Sequence, residues 1–403
     1  MVRAKQRRSR PGHSPVPVRP YGARVSDTST DPLRTAVLRG ARLTLRPWQP
    51  ADAPAVYAAM QHRAMHRFLS LPDPYTEDDA DAFITASLAP HSPELGFAMV
   101  DAASDRVVGS IGLRPGARGP HQRNVDVGYA VYPDAQGHRY AAEALGLVTS
   151  AAFEHRAARV SLECAVDNIA SAKTALAAGF RFEGIARDVL LLHDDVVDGA
   201  MFARVRTDPP DRVPPEYAPL PDGGLSDGVI RLRELDGSDA AAYQEQQTDP
   251  VSVSTGFTAA APTLESTVTR CRRGRLGWLV GPDAAFAIVD EATGRFAGSM
   301  QLRRPGPPQV GGLGYTVHPH FRGRGYTGRA LRLVTAWAFD AGGFARLELG
   351  AKDDNVASQR AALAGGFEPD GVRAARLRRP DGAFADEVRF AVVNPQTLRR
   401  ISP

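Results

Sequence analysis

Residues 320–331, HFRGRGYTGRAL, crowd three glycines and three arginines into one turn, directly after the apolar run LGYTVHP (313–319). Gly323 and Gly325 can take positive φ and let the backbone approach a ligand closely. The exposed N–H groups of such a turn, joined to the positive end of a following helix, form an anion site. Arg322 and Arg324 add charge beside it. A pyrophosphate is the ligand this chemistry suits. A near copy, DAQGHRYAAEAL, occupies residues 134–145, with Arg139 where the later loop has Gly325. A Cβ and a long side chain there hinder close approach to a pyrophosphate; the alternative is that Arg139 grips the phosphates itself. His138 in the same loop reads as a surface or phosphate-neighbouring residue, since a lone histidine makes no metal site, and no metal is expected.

The elements that must hold these loops also occur twice. LTLRPWQPADA (43–53) returns as IRLRELDGSDA (230–240), FAMVDAASDRVVGSIGL (97–113) as FAIVDEATGRFAGSMQL (286–302), and DNIASAKTALAAGF (167–180) as DNVASQRAALAGGF (354–367). The order is kept at a nearly constant separation, which is tandem duplication of a whole domain and not a short-period solenoid. The expected organisation is a basic disordered tail over 1–35, one domain over 36–206, a stiff and unpacked proline-rich linker over 207–227, a second domain over 228–395 and a short tail over 396–403. In the second half an opening strand (230–235) leads into helical stretches to about residue 273. A hairpin with its turn at EATGR follows, then the strand LGYTVHP, the loop, and a helix over 326–340 with Leu331, Val334 and Ala338 on one face. A strand (346–351), another helix and a final hairpin complete each half. This is a mixed α/β class.

Bulk properties exclude several functions. The chain has 403 residues, 43% hydrophobic and 23% charged, as in a globular protein of two domains. Its net charge of +4 resides in the first 24 residues, which carry seven Lys or Arg and no acid. The remainder is nearly neutral, so nucleic-acid binding is not expected, apart from a role for the tail. That tail lacks the apolar core of a secretory signal, and no run reaches membrane-spanning length. Cys164 and Cys271 lie in different halves and form no framework. A cytoplasmic protein with no membrane partner is expected, its oligomeric state open.

Arg322-Gly-Arg-Gly325-Tyr-Thr327 resembles the GNAT acetyltransferase signature: Gln or Arg, two residues, Gly, one residue, then Gly or Ala. Thr327 departs from it at the last position. The LxLR…DA opening, GYxxHPxxRGRGY, the NxxS that follows and the later GF are similar to the branch of Rim-type ribosomal-protein N-acetyltransferases. The resemblance implies two GNAT-like domains, each a mostly antiparallel central sheet splayed at the CoA-binding strands and flanked by helices. It implies that Val317, Arg322, Gly323, Arg324, Gly325, Tyr326, Thr327, Gly328 and Asn355 bind acetyl-CoA. Ser358 becomes the candidate general acid, with helix capping as its other reading. The family's usual acid, two residues before the Gly-Tyr pair, is Gly312 here and Asp126 in the first half. Asp386 (Asp198 in the first half) is therefore the candidate base, or else a solvated hairpin residue; Glu348 is a further candidate. The expected activity is acetyl transfer from acetyl-CoA to a primary amine, a protein N-terminus or a small molecule, with acceptor residues within 55–90 and 241–275. A non-catalytic acyl-CoA-binding regulatory module is the alternative. The second half is expected to be catalytic and the first, which keeps Asn168 and Ser171, a degenerate partner.

Overall fold

The computed structural model describes residues 31–116, 123–257, 261–379 and 381–398. The first unit contains β1 (Leu38–Arg39), β2 (Leu43–Pro47), α1 (Ala53–Met60), α2 (Arg63–His66), α3 (Glu77–Leu88), β3 (Leu95–Asp101), β4 (Val107–Pro115), β5 (Asn124–Val131), α4 (Tyr140–Glu154), β6 (Arg159–Ala165), α5 (Ile169–Ala177), β7 (Arg181–Leu192) and β8 (Asp195–Val205). The second repeats it: β9 (Leu225–Ser226), β10 (Ile230–Glu234), α6 (Ala240–Thr248), α7 (Pro250–Thr255), α8 (Leu264–Arg272), α9 (Gly274–Val280), β11 (Asp283–Asp290), β12 (Phe296–Arg303), β13 (Val310–Val317), α10 (Tyr326–Asp340), β14 (Arg346–Lys352), α11 (Val356–Ala364), β15 (Glu368–Arg378) and β16 (Phe384–Val393).

Each unit has one eight-stranded sheet, ordered β1-β2-β3-β4-β5-β6-β8-β7 and β9-β10-β11-β12-β13-β14-β16-β15. Neighbours run antiparallel except β5/β6 and β13/β14. A parallel pair needs a long crossover, and here it is the loop and the helix α4 or α10. The mixed sheets and flanking helices are the expected fold class.

Burial on both faces explains the near-continuous apolar run of β11. Phe286 and Ile288 join the core beneath α10, while Ala285 and Ala287 pack with Leu235 and Cys271 on the opposite face. In α10, Leu331, Val334 and Ala338 are fully buried at the spacing expected. Cys164 and Cys271 are both buried free thiols.

Three boundaries differ from the sequence reading. Residues 1–30 of the expected tail lie outside the described residues, but Leu33 is buried in the first core, so the folded unit begins before residue 36. The linker is not unpacked. Tyr217 is buried in the second core, its hydroxyl donates to the Pro282 carbonyl at 2.9 Å, and Leu225–Ser226 add an edge strand to β10. Prolines had suggested a rod; one buried aromatic outweighs them. Finally, the helical stretch does not end near 273 but continues as α9. This helix sends Leu276 and Leu279 into the first core and Trp278 into the second. Beside it, Arg273 pairs with Asp198 at 2.5 Å and Arg272 with Asp167 at 3.5 Å. The two units are thus keyed together through α8–α9.

Candidate active site

The parallel ladder of β13 and β14 runs from Val310↔Arg346 to Leu313↔Leu349 and stops. Beyond it, Gly314–Val317 remain paired only with β12 on their other edge. Successive residues of a strand direct their N–H and C=O to alternate edges, so every second residue of 314–317 presents unpaired backbone to a gap. The first unit splays likewise after Asp126↔Ser161.

The loop stands at the mouth of this gap. Gly323 and Gly325 have φ of 76° and 74°, and Gly325 caps α10 without any side-chain cap bond. The first-turn N–H groups therefore have no intrahelical partner. A Cβ built on either glycine meets nothing within 4 Å, so the space above the turn is an open cradle. Cradle and gap together suit a pyrophosphate followed by an extended amide chain, as in acetyl-CoA.

Arg139 changes the reading of the first loop. It occupies the left-handed region at φ 60° and ψ 20°, and Gly137 has φ 81°. The turn keeps its shape although a non-glycine residue pays about 1 kcal/mol to stand there. The difference between the loops lies in the exposed side chain that Arg139 adds, not in the path of the backbone.

Other loop residues divide between ligand space and scaffold. Arg322 is turned away from the cradle to Asp249 and to Ser252 at 3.0 Å, holding the loop against α7. Arg324 is exposed and lies 5.0 Å over the Phe321 ring. Tyr326 is buried, with its hydroxyl on Asp290 and its ring stacked on Phe321. Thr327 is buried as well. A Cβ at Gly328 would lie 3.2 Å from the Ala364 Cβ, so that glycine serves the close approach of α10 and α11. Val317 closes β13, paired with Gly298.

Asn355 is the N-cap of α11, its Oδ1 accepting the Ser358 amide at 3.1 Å. Ser358 is therefore not the cap, and its hydroxyl is used elsewhere. It lies 2.9 Å from the hydroxyl of Tyr315, on the splayed strand. Burial raises the Tyr315 pKa, a shift its bond to Ser358 only partly offsets. The first unit repeats this pair as Tyr129 and Ser171 at 3.0 Å, with burial pushing Tyr129 up to about 12. The sequence reading missed the tyrosine; GY in both repeats was the available signal.

The candidate bases fare less well. Asp386 Oδ1 accepts the Ala375 amide at 2.8 Å, where Ala375 stands at φ 49° within a bulge of β15. Its duty is to pin that bulge, and it shares no hydrogen bond with Ser358 among the described residues. Glu348 is held between Arg346 at 2.7 Å and Arg389. At Gly312, where the resemblance implied an acid, a Cβ would press to 3.1 Å on Pro305.

A cavity of about 550 Å³ lies between α7 and the β14–α11 turn, lined by Ser254, Thr255, Asp354, Asn355, Arg379 and Asp381 among others. Lys352 ends β14 nearby, almost fully buried, with its ammonium donating to the Ser254 carbonyl at 2.8 Å. Burial lowers its pKa. In the first unit the matching side is tied shut: His193 donates its amide to Ser70 Oγ at 3.0 Å, and its Nε2 lies 2.7 Å from the His66 carbonyl.

Residues 42–181 and 230–368 each match the family model of the acetyltransferase (GNAT) domain. The chain belongs to the GNAT acetyltransferase family. As a tandem GNAT protein it is similar to the uncharacterized N-acetyltransferase YoaA of Bacillus subtilis (strain 168), 24% identical over 173 residues, 42% of this chain and 97% of the relative. Solved GNAT structures resemble one unit at a time. RimJ of Mycobacterium smegmatis in complex with CoA-disulfide matches at 18% identity and a TM-score of 0.40, covering 44% of this chain and 91% of that one. A putative ribosomal-protein-serine acetyltransferase from Vibrio cholerae matches at 21% and 0.38, covering 42% and 97%. Among the described residues of this GNAT chain no helix is long and apolar enough to cross a membrane.

Proposed function

We propose that the second unit transfers an acetyl group from acetyl-CoA to a primary amine, a protein N-terminus or a small amine, and that the first unit is a degenerate partner. One observation carries this reading: the second unit's turn presents Gly323 and Gly325 to open space beside the splayed gap, whereas the first places Arg139 at the point of Gly325 and ties its last hairpin to Ser70 and His66.

In this reading the amides around Gly323 and Gly325 and the start of α10 hold the pyrophosphate, with Arg324 supplying charge. Arg322, Tyr326, Thr327 and Gly328 shape the loop from behind, and Asn355 faces the acceptor cavity while capping α11. Acetyl-CoA supplies the activated acyl group. The unpaired edge of Gly314–Val317 orients its amide arm and places N–H groups where negative charge develops on the thioester oxygen. Ser358, hydrogen-bonded to Tyr315, delivers a proton to the departing sulfur. The Rim-type resemblance favours a protein N-terminus as acceptor.

Mixing the protein with acetyl-CoA and a panel of amines, including peptides with free N-termini, and following free thiol tests the reading. Amine-dependent release is expected. Tight acetyl-CoA binding without release for any amine would overturn it.

A further inference from the structure

On β16, Glu387 stands opposite Lys352, whose side chain reaches α7, so Glu387 shares the sheet face that looks toward α7. Its neighbour Asp386 projects to the other face. Gly350 is the first residue of β14 beyond the last paired rung, at the start of the gap. A Cβ there would lie 2.2 Å from Glu387 Oε1, so the carboxylate rests directly over Gly350. Across the gap Gly314 is overlain by the Gln301 amide, 3.0 Å from where its Cβ would be. Glu387 Oε2 is buried and has no hydrogen-bond donor among the described residues; its one ion pair, with Arg373 of β15, is long at 3.7 Å.

The first unit holds a carboxylate in the same place by the opposite choice of strands. There Glu163 on β6, equivalent to Gly350, lies over Gly199 on β8, equivalent to Glu387, with 2.5 Å from Glu163 Oε1 to the Cβ position of Gly199. Packing alone does not ask for a carboxylate on this face, because a small residue opposite a glycine would fill it. Yet each unit carries one, from a different strand.

We propose that Glu387 is the acceptor-binding carboxylate of the second unit, receiving a primary ammonium at the thioester gap and taking its proton. This rests on the acetyl-transfer reading above. The ammonium gives one proton to Glu387 and its nitrogen attacks the thioester carbonyl. The C–N bond forms, the C–S bond breaks, and the second proton of the nitrogen reaches the thiolate through Tyr315 and Ser358. The proton on Glu387 then passes to solvent. Of the charged groups sharing this face with Glu387, Arg389 of β16 stands opposite Gly350 and is held by Glu348 and, at 3.7 Å, by Asp370. Arg373 lies along the outer side, the Lys352 ammonium is turned to Ser254, and α7 presents no charged side chain.

The test compares Glu387→Gln, Glu387→Gly and the double variant Gly350→Glu/Glu387→Gly, which rebuilds the arrangement of the first unit. Acetyl-CoA binding and amine-dependent thiol release are measured for each. Glu387→Gln should lose about 100-fold in kcat/KM for the amine with acetyl-CoA affinity unchanged. The double variant should regain about tenfold over Glu387→Gly. Turnover of Glu387→Gln within about twofold of the parent overturns the assignment, as does a double variant that binds acetyl-CoA normally yet is no faster than Glu387→Gly. A parent that releases no thiol with any amine overturns the acetyl-transfer reading itself, and this one with it.

Discussion

Gly325 and Arg139 occupy the same point of the same turn, at φ 74° and 60°, and the two units diverge outward from there. Both keep the splayed strands and the Tyr–Ser pair. They differ in what covers the site. The second unit leaves its cradle and the cavity between α7 and the β14–α11 turn open. The first carries an exposed arginine at the turn where the second has a glycine, bonds Ser70 and His66 to its last hairpin, and receives Arg272 and Arg273 of its partner on Asp167 and Asp198. Backbone geometry outlives ligand space because the whole sheet over-determines it, while a side chain in open solvent constrains nothing else.

Breaking this contrast at its centre should have the largest effect. Gly325→Arg should abolish acetyl-CoA binding measured by calorimetry, without unfolding the protein, since its side chain enters open space. Unchanged affinity would remove the second loop from the site. Next comes Ser358→Ala, expected to lower kcat about 100-fold while acetyl-CoA affinity stays as in the parent. A smaller effect is expected from the interface. Arg273→Ala should cost about 1 kcal/mol in thermal or denaturant unfolding. Burial alone would raise the Asp198 pKa, but its bonds to Arg273 and the Asp188 amide outweigh that and hold it below the ordinary aspartate value. A depressed carboxylate stabilises the fold above its unfolded pKa and loses that contribution as pH falls through the folded value. The Arg273→Ala penalty should therefore be full near neutrality and vanish in acid below the ordinary carboxylate range, as unfolding at several pH values would register. Last, Arg139→Gly sharpens the comparison. Relief of left-handed strain should offset the added chain entropy, leaving stability within about 1 kcal/mol. If the side chain alone closes the first cradle, calorimetry should then count a second acetyl-CoA.

Much of the architecture was legible because the chain states it twice. Matching segments, the Gly-rich turn after LGYTVHP and the apolar face of α10 rest on local periodicity, and the structure places them where the spacing predicts. Single residues whose duty depends on a distant neighbour were harder. Proline content hid the burial of Tyr217. Gly328 was grouped with the ligand loop, but the reason for it is Ala364, on the next helix. The sequence reading named Asp386 and Glu348 and not Glu387, although one residue along a strand reverses the face. That alternation is visible in ADEVRF; which face looks toward α7 is not.

Family, duplication, the glycine-rich turn and the contrast between Arg139 and Gly325 were therefore determined by the sequence itself, since each depends on residue type and short-range order. Tertiary structure decided which carboxylate overlies the gap, which tyrosine meets Ser358, and how α9 locks one unit to the other. Those are facts of strand register and packing, set by contacts between residues far apart in the chain.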